Sequence, residues 1–144
     1  MFKKTILDSG LTILTIPQKE ALDATVLILV RTGSKYETKN INGISHFLEH
    51  MCFKGTKKRP TAFELTSELD RLGAITNAFT AQEYTGYYAR IEKGNLNPAL
   101  EIVSDLFLNP IFQNEELEKE KGPVIEEINM REDDTQTRIN DLFP

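Results

Sequence analysis

The sequence is short of several residue types, and each shortage excludes a class of protein. Its 144 residues include one cysteine, which cannot form an internal disulfide. A disulfide scaffold is therefore excluded, and we expect a reducing, cytoplasmic location. The longest apolar run, residues 24–30, is too short to cross a bilayer, so we expect no membrane insertion. The net charge of −5 comes without a basic cluster, so nucleic acid is not an expected partner.

What remains is typical of a globular domain. Hydrophobic residues make up 40% of the chain and charged residues 27%. These fractions are ordinary for a soluble fold, and the length fits one domain covering residues 1–144.

Histidine is also scarce, and its placement is the most informative feature of the chain. Both histidines lie in the segment His46-Phe47-Leu48-Glu49-His50. On a helix, His46 and His50 project from one face about a turn apart, where two imidazoles can bind one divalent metal, most often zinc. Glu49 lies beside this pair and could accept a proton from a metal-bound water. The alternative is a solvated helix with polar side chains, but the apolar neighbours of the motif favour a half-buried metal site.

Hydropathy patterns predict an α+β fold with a largely antiparallel sheet packed with helices. Strands are predicted at residues 5–8, 11–16, 24–31, 75–80 and 84–91, and the 24–31 segment reads as a central strand covered on both faces. The motif helix should end near residue 54. Further helices are predicted at residues 61–72, 96–108 and 115–131. Thr61 and Glu64 form a capping box for the first of these, whereas Gly122-Pro123 should interrupt the last. Residues 135–144 resemble the beginning of another helix.

A catalytic zinc normally has three protein ligands, so the two histidines require a third. The last long helix offers several carboxylates: Glu115, Glu116, Glu118, Glu120, Glu126 and Glu127. Composition alone does not choose among them. Glu120 and Glu127 are seven residues apart and share a helical face, whereas Glu126 points about 100° away from Glu127.

Three segments resemble the pitrilysin/insulinase family of zinc peptidases, in particular the branch with mitochondrial processing peptidase and its bacterial relatives. Residues 43–56 resemble the family's inverted zinc signature. Residues 77–80 with 84–89 resemble its strand pair, and residues 124–128 resemble its distal glutamate segment. The resemblance implies that His46, His50 and Glu127 bind one Zn²⁺. It also implies catalytic roles for Glu49, as general base on the zinc-bound water, and for Glu120, as the partner glutamate.

The same resemblance implies a zinc-dependent metalloendopeptidase that hydrolyses peptides or unfolded polypeptide segments. Asn77, Ala78, Phe79 and Thr80 would bind the substrate as an added β-strand, although an ordinary core strand would show the same pattern. Two alternatives stay open: a non-catalytic structural or regulatory subunit, and a metal-binding module with incidental hydrolysis.

Family members are several hundred residues long and close around a peptide chamber. The resemblance therefore implies that this chain is a truncated N-terminal peptidase domain with an incomplete fold. Its expected partners are the remaining half of the peptidase, a homologous subunit or a second copy of itself. Alone, the 144-residue chain is expected to bind zinc but to be weak or inactive as a peptidase.

Overall fold

A computed structural model describes residues 1–135, which form five β-strands and four α-helices. In chain order they are β1 (Lys3–Ile6), β2 (Thr12–Thr15), β3 (Asp23–Val30), α1 (Ile44–Cys52), α2 (Ala62–Arg71), β4 (Ile75–Thr80), β5 (Thr85–Glu92), α3 (Leu96–Leu108) and α4 (Asn114–Asp133). All strand pairs are antiparallel, so the predicted α+β class is confirmed. The helix predicted from residue 135 onward lies, beyond its first residue, outside the described part. No helix within residues 1–135 has both the length and the apolar character needed to cross a membrane.

The strands form a β1–β2 hairpin and a three-stranded sheet with the order β3-β5-β4. The prediction that residues 24–31 form a central strand covered on both faces is wrong. β5 is central, and β3 lies at one edge of the sheet within the described residues. Val26 of β3 faces the core, whereas Leu27 and Leu29 on the opposite face are 46% and 58% exposed. An apolar run records hydrophobicity but not strand order, which explains the error.

Helices α2 and α3 cover the face of the sheet that carries Val26, and together with that face they form the core. Leu65 and Leu69 of α2 are buried with Ile102 and Leu106 of α3. The only cysteine, Cys52, is buried in the same core, and its Sγ lies 3.7 Å from the hydroxyl of Tyr87. A packing role for this thiol follows, as its position two residues after His50 predicts.

The N-terminus of α2 has the predicted capping box. The Thr61 hydroxyl accepts the Glu64 N–H at 3.2 Å, and the Glu64 carboxylate accepts the Thr61 N–H at 3.0 Å. Reciprocal bonds of this kind satisfy amides that have no partner inside the helix. Gly73, with φ 68°, ends the helix in the left-handed region that glycine adopts without strain.

Helix α4 continues through Gly122-Pro123, so the predicted interruption is wrong. A proline inside a helix removes one backbone donor and costs roughly 3 kcal/mol. Contacts on both sides of Pro123 offset this cost, because Glu120 and Val124 are buried and α4 packs against α1. The consequence is that Glu120 and Glu127 lie on one uninterrupted helix.

The loop that follows α1 is bonded to the segment that leads into α4. The Lys57 N–H donates to the Asn109 carbonyl at 3.1 Å, and the Ile111 N–H donates to the Gly55 carbonyl at 3.0 Å. Gly55 cannot carry a side chain here, because a Cβ atom would lie 2.5 Å from the Pro60 carbonyl oxygen. These bonds hold the end of α1 next to the start of α4.

Candidate metal centre

Helix α1 places both histidines between β4 and α4, the two elements against which it packs. The rings of His46 and His50 meet edge to face, with centroids 4.7 Å apart and planes at 86°. Their Nε2 atoms are 3.1 Å apart. Both side chains are partly buried, with 29% and 22% exposed, so the two nitrogens converge at a site that solvent still reaches.

Glu127 of α4 brings its carboxylate to the same point. Its Oε1 lies 3.6 Å from His46 Nε2, and its Oε2 lies 3.3 Å from His50 Nε2. One donor atom from each of these three residues fits within a span of 4.8 Å. A tetrahedral zinc with bonds of about 2.0–2.1 Å separates its ligand atoms by about 3.3 Å. The two Nε2 atoms are 3.1 Å apart, and each lies 3.3–3.6 Å from one or other oxygen of Glu127, so small side-chain adjustments bring one donor from each residue onto a zinc ion.

Glu120 lies behind His50 and is itself almost buried. Its Oε1 is 2.9 Å from His50 Nδ1, and its Oε2 forms an ion pair with Lys54. Burial would raise the pKa of the Glu120 carboxyl, but the bonds with Lys54 and His50 outweigh burial and lower this pKa. The ionised carboxylate accepts the proton of Nδ1, which leaves the lone pair of Nε2 directed at the site. This is the tautomer that a metal ligand bonding through Nε2 requires.

Glu49 lies on α1, next to His50, and its carboxylate contacts β4. The hydroxyl of Thr80 donates to Glu49 Oε2 across the boundary between helix and sheet. The side chain of Thr80 is therefore engaged with the carboxylate that the sequence assigns as general base. If Thr80 binds substrate as predicted, it would have to do so through its backbone N–H and C=O groups.

The other predicted substrate residues lie along β4, which pairs only with β5 among the described strands and leaves its other edge open. Asn77 and Phe79 are exposed, whereas Ala78 is half-buried and packs against the core. The Ala78 N–H donates to the side-chain oxygen of Asn77 at 2.9 Å. A side chain thus satisfies this amide, as expected for an N–H on the open edge.

The remaining carboxylates of α4 stay outside the three-residue cluster found among the described residues. Glu126 adjoins Glu127 and is exposed as Glu127 is, but only Glu127 belongs to the cluster. Glu116 and Glu118 form local ion pairs with Lys119 and Lys121. Sequence reasoning missed Lys54 as the partner of Glu120. The available signal was its position four residues after His50 in a helix predicted to run to about residue 54, although α1 ends at Cys52 and Lys54 lies in the following turn.

These features define a candidate metal site built by two helices, and comparison with known proteins gives the family. The profile of the insulinase family, peptidase family M16, matches residues 12–143. The chain belongs to this family.

Relatives of known sequence and solved structures are similar over most of the chain, and three of them illustrate the match. It is 42% identical to the "Uncharacterized zinc protease YmxG" of Bacillus subtilis over 99% of its own length and 35% of that protein. It is 40% identical to the mitochondrial-processing peptidase subunit beta of Dictyostelium discoideum over 87% of its length and 26% of that protein. The crystal structure of a protease from Helicobacter pylori matches with a TM-score of 0.85 and 28% identity, covering 91% of this chain and 32% of that one. The chain thus spans about a third of the length of these relatives or less.

Proposed function

We propose that the protein is a zinc-dependent metalloendopeptidase acting on peptides or unfolded polypeptide segments, with His46, His50 and Glu127 as the ligands of one Zn²⁺. The observation that carries the proposal is the convergence of two Nε2 atoms and one carboxylate at separations of 3.1–3.6 Å. Membership of a peptidase family and relatives named zinc proteases support it.

A zinc ion held here would lower the pKa of a water molecule toward about 7 and polarise the carbonyl of the substrate. Glu49 then accepts the proton of the attacking water and returns it to the leaving amine. Because Glu49 Oε2 already accepts from Thr80, we assign proton transfer to Oε1. Glu120 holds the ring of His50 in the tautomer that binds metal, and Lys54 keeps Glu120 charged and in place.

The open edge of β4 is the proposed binding site for an extended peptide. A peptide strand beside β4 would replace the Asn77 side chain as the partner of the Ala78 N–H. Such pairing uses main-chain bonds, so the site should tolerate many side chains. Because α1 packs against β4, a peptide on this edge would run past Glu49.

Replacing Ala78 with proline is expected to raise KM several-fold while leaving zinc binding unchanged. Proline removes the N–H that would bond to the peptide, but an edge strand tolerates it where that N–H faces outward. Steady-state kinetics and zinc titration measure the two effects. Ala78→Ser keeps the N–H and serves as the control, with KM near that of the wild type. An unchanged KM in the proline variant would exclude this edge as the docking site.

Removing the metal tests the proposed function directly. We expect a strong chelator to abolish cleavage of a quenched fluorescent peptide by the full-length protein, and one equivalent of zinc to restore it. Magnesium should not restore cleavage, because it prefers all-oxygen coordination over imidazole. Cleavage that persists after complete removal of metal would contradict the proposal. Zinc binding without any cleavage would favour a metal-binding module, and the absence of both zinc binding and cleavage would favour a non-catalytic subunit.

The remainder of the peptidase is also part of the proposal. Since the chain spans about a third of its relatives, we propose that a further segment, a homologous subunit or a second copy completes the substrate chamber. Orientation and exclusion of water around the peptide would then come from surfaces outside these 144 residues.

A further inference from the structure

The N-terminus of α1 is capped by a side chain from outside the helix. Its N-cap residue, Gly43, has a φ of 87° and no side chain to accept a hydrogen bond. Glu37 takes this role, with Oε2 accepting the Gly43 N–H at 2.6 Å and Oε1 accepting the Ser45 N–H at 2.8 Å. The first amides of a helix have no partner inside it, so one carboxylate satisfies two donors at this end.

Charge strengthens this arrangement. Partial burial would raise the pKa of Glu37, but its hydrogen bonds with Ser45 and Gly43 outweigh burial and lower this pKa. A carboxylate at a helix N-terminus is also attracted by the helix dipole. Charge-assisted bonds to two amides are stronger than the neutral bonds that a serine or threonine cap would make.

The turn that carries Glu37 is itself fixed to the sheet. The Lys35 N–H donates to the carbonyl of Gln82, in the turn between β4 and β5, at 2.9 Å. Gly33 lies so close to this turn that a Cβ atom would be 2.2 Å from the Ala81 carbonyl oxygen. Glu37 therefore connects α1 to the turn that follows β4.

The first turn of α1 has a second attachment through Ser45. Its hydroxyl lies 3.4 Å from the hydroxyl of Thr32, just beyond β3, and Ser45 is only 5% exposed. The carbonyl of Thr32 accepts in turn from the Thr85 hydroxyl at 3.2 Å. Ser45 immediately precedes His46, so both attachments act on the turn that carries this histidine.

We propose that Glu37 is a positioning residue for the metal centre, whose carboxylate fixes the first turn of α1 so that His46 reaches Glu127 of α4. The inference rests on the proposed function for the identity of the ligands. Helix α1 has nine residues, a length at which an isolated helix is not stable in water. Without the cap this turn would fray, and zinc binding would have to order it again at the expense of affinity.

Helix α2 offers a control, because side chains also cap its N-terminus and it carries none of the proposed ligands. Thr61→Ala removes the hydroxyl that accepts the Glu64 N–H. Loss of an N-cap in a domain of this size typically lowers Tm by about 2–8 °C. A purely structural role for Glu37 predicts that both variants lower Tm and that neither weakens zinc binding.

The experiment compares the two variants with the wild type in the full-length protein. We measure Tm, zinc affinity by competition with a chelating dye, and amide hydrogen exchange. Both variants should lower Tm, but only Glu37→Ala should weaken zinc binding, by about 10–100-fold, the range typical of lost outer supports of a metal site. Exchange of the Gly43 and Ser45 amides should also accelerate in Glu37→Ala alone.

A second variant, Glu37→Gln, covers the case in which the alanine variant does not fold. Glutamine keeps one acceptor oxygen but opposes the second amide with its own NH₂ group, so zinc affinity should fall by less than in the alanine variant. Zinc affinity equal to the wild type in the folded variants would overturn the inference, as would equal weakening by Thr61→Ala. If the wild type binds no zinc, the proposed function fails. In that case, amide hydrogen exchange at Gly43 and Ser45 that is equally slow in Glu37→Ala and in the wild type would separately overturn the capping role.

Discussion

Replacing Glu49 with glutamine is expected to abolish peptide hydrolysis by the full-length protein while zinc stays bound. Glutamine has nearly the same shape and can still accept from Thr80, but it cannot take up the proton of the attacking water. Loss of a positioned general base typically lowers kcat by about 10²–10⁴-fold. Elemental analysis and kinetics on the same sample separate metal content from chemistry.

The matched control is Glu126→Gln, which removes a carboxylate that is exposed and outside the three-residue cluster. It should change neither zinc content nor kcat. A Glu49→Gln variant that is stripped of zinc, next to a Glu127→Ala variant that keeps it fully, would reverse the roles assigned to these two residues.

Substitutions of three glutamates of helix α4 are expected to affect zinc binding to three different degrees. Glu127→Ala removes a direct ligand and should release the metal, with a loss of affinity well beyond 100-fold. Glu120→Gln removes an outer partner of His50, for which a loss of about 10–100-fold is typical. Glu126→Ala should leave the affinity unchanged. Competition titration against a chelating dye measures all three variants on one scale.

The order of these three effects is the informative result. Glu127 is more exposed than Glu120, with 57% of its side chain accessible against 8%. Burial alone would therefore predict that Glu120 matters more, whereas the donor geometry predicts that Glu127 does. A larger loss from Glu126→Ala than from Glu127→Ala would mean that the neighbouring carboxylate is the ligand.

Local patterns in the sequence predicted the parts of the site that lie on single helices. The spacing of His46 and His50 defines one helical face, and the seven-residue spacing of Glu120 and Glu127 defines another. The capping box of Thr61 and Glu64 likewise needs only four consecutive residues. Such features depend on backbone periodicity alone, so they can be read before the fold is known.

The parts that the sequence did not reveal depend on tertiary packing. The apolar pattern of β3 does not state which strands lie beside it, and the edge position follows from sheet order. Pro123 disfavours a helix locally, yet the burial of Glu120 and Val124 on either side keeps α4 continuous. Local propensity is a weak predictor where packing opposes it.

Side-chain contacts between segments that are distant in the sequence could not be predicted either. Thr80 lies 31 residues after Glu49, and Lys54 meets Glu120 only because the loop after α1 is bonded to the segment before α4. Glu37 is closer in sequence to the helix it caps, but a glutamate six residues before the N-cap residue is not a recognised capping position. The choice of Glu127 over Glu126 came from family resemblance, and its role as a ligand stays a prediction.

The most direct test is to locate the metal itself. Crystals of the full-length protein grown with zinc, with diffraction recorded on both sides of the zinc absorption edge, would show where the ion binds. The account predicts one anomalous peak per chain, about 2.0–2.2 Å from His46 Nε2, His50 Nε2 and a carboxylate oxygen of Glu127. A zinc peak bound elsewhere, or one coordinated by Glu126 in place of Glu127, would contradict it.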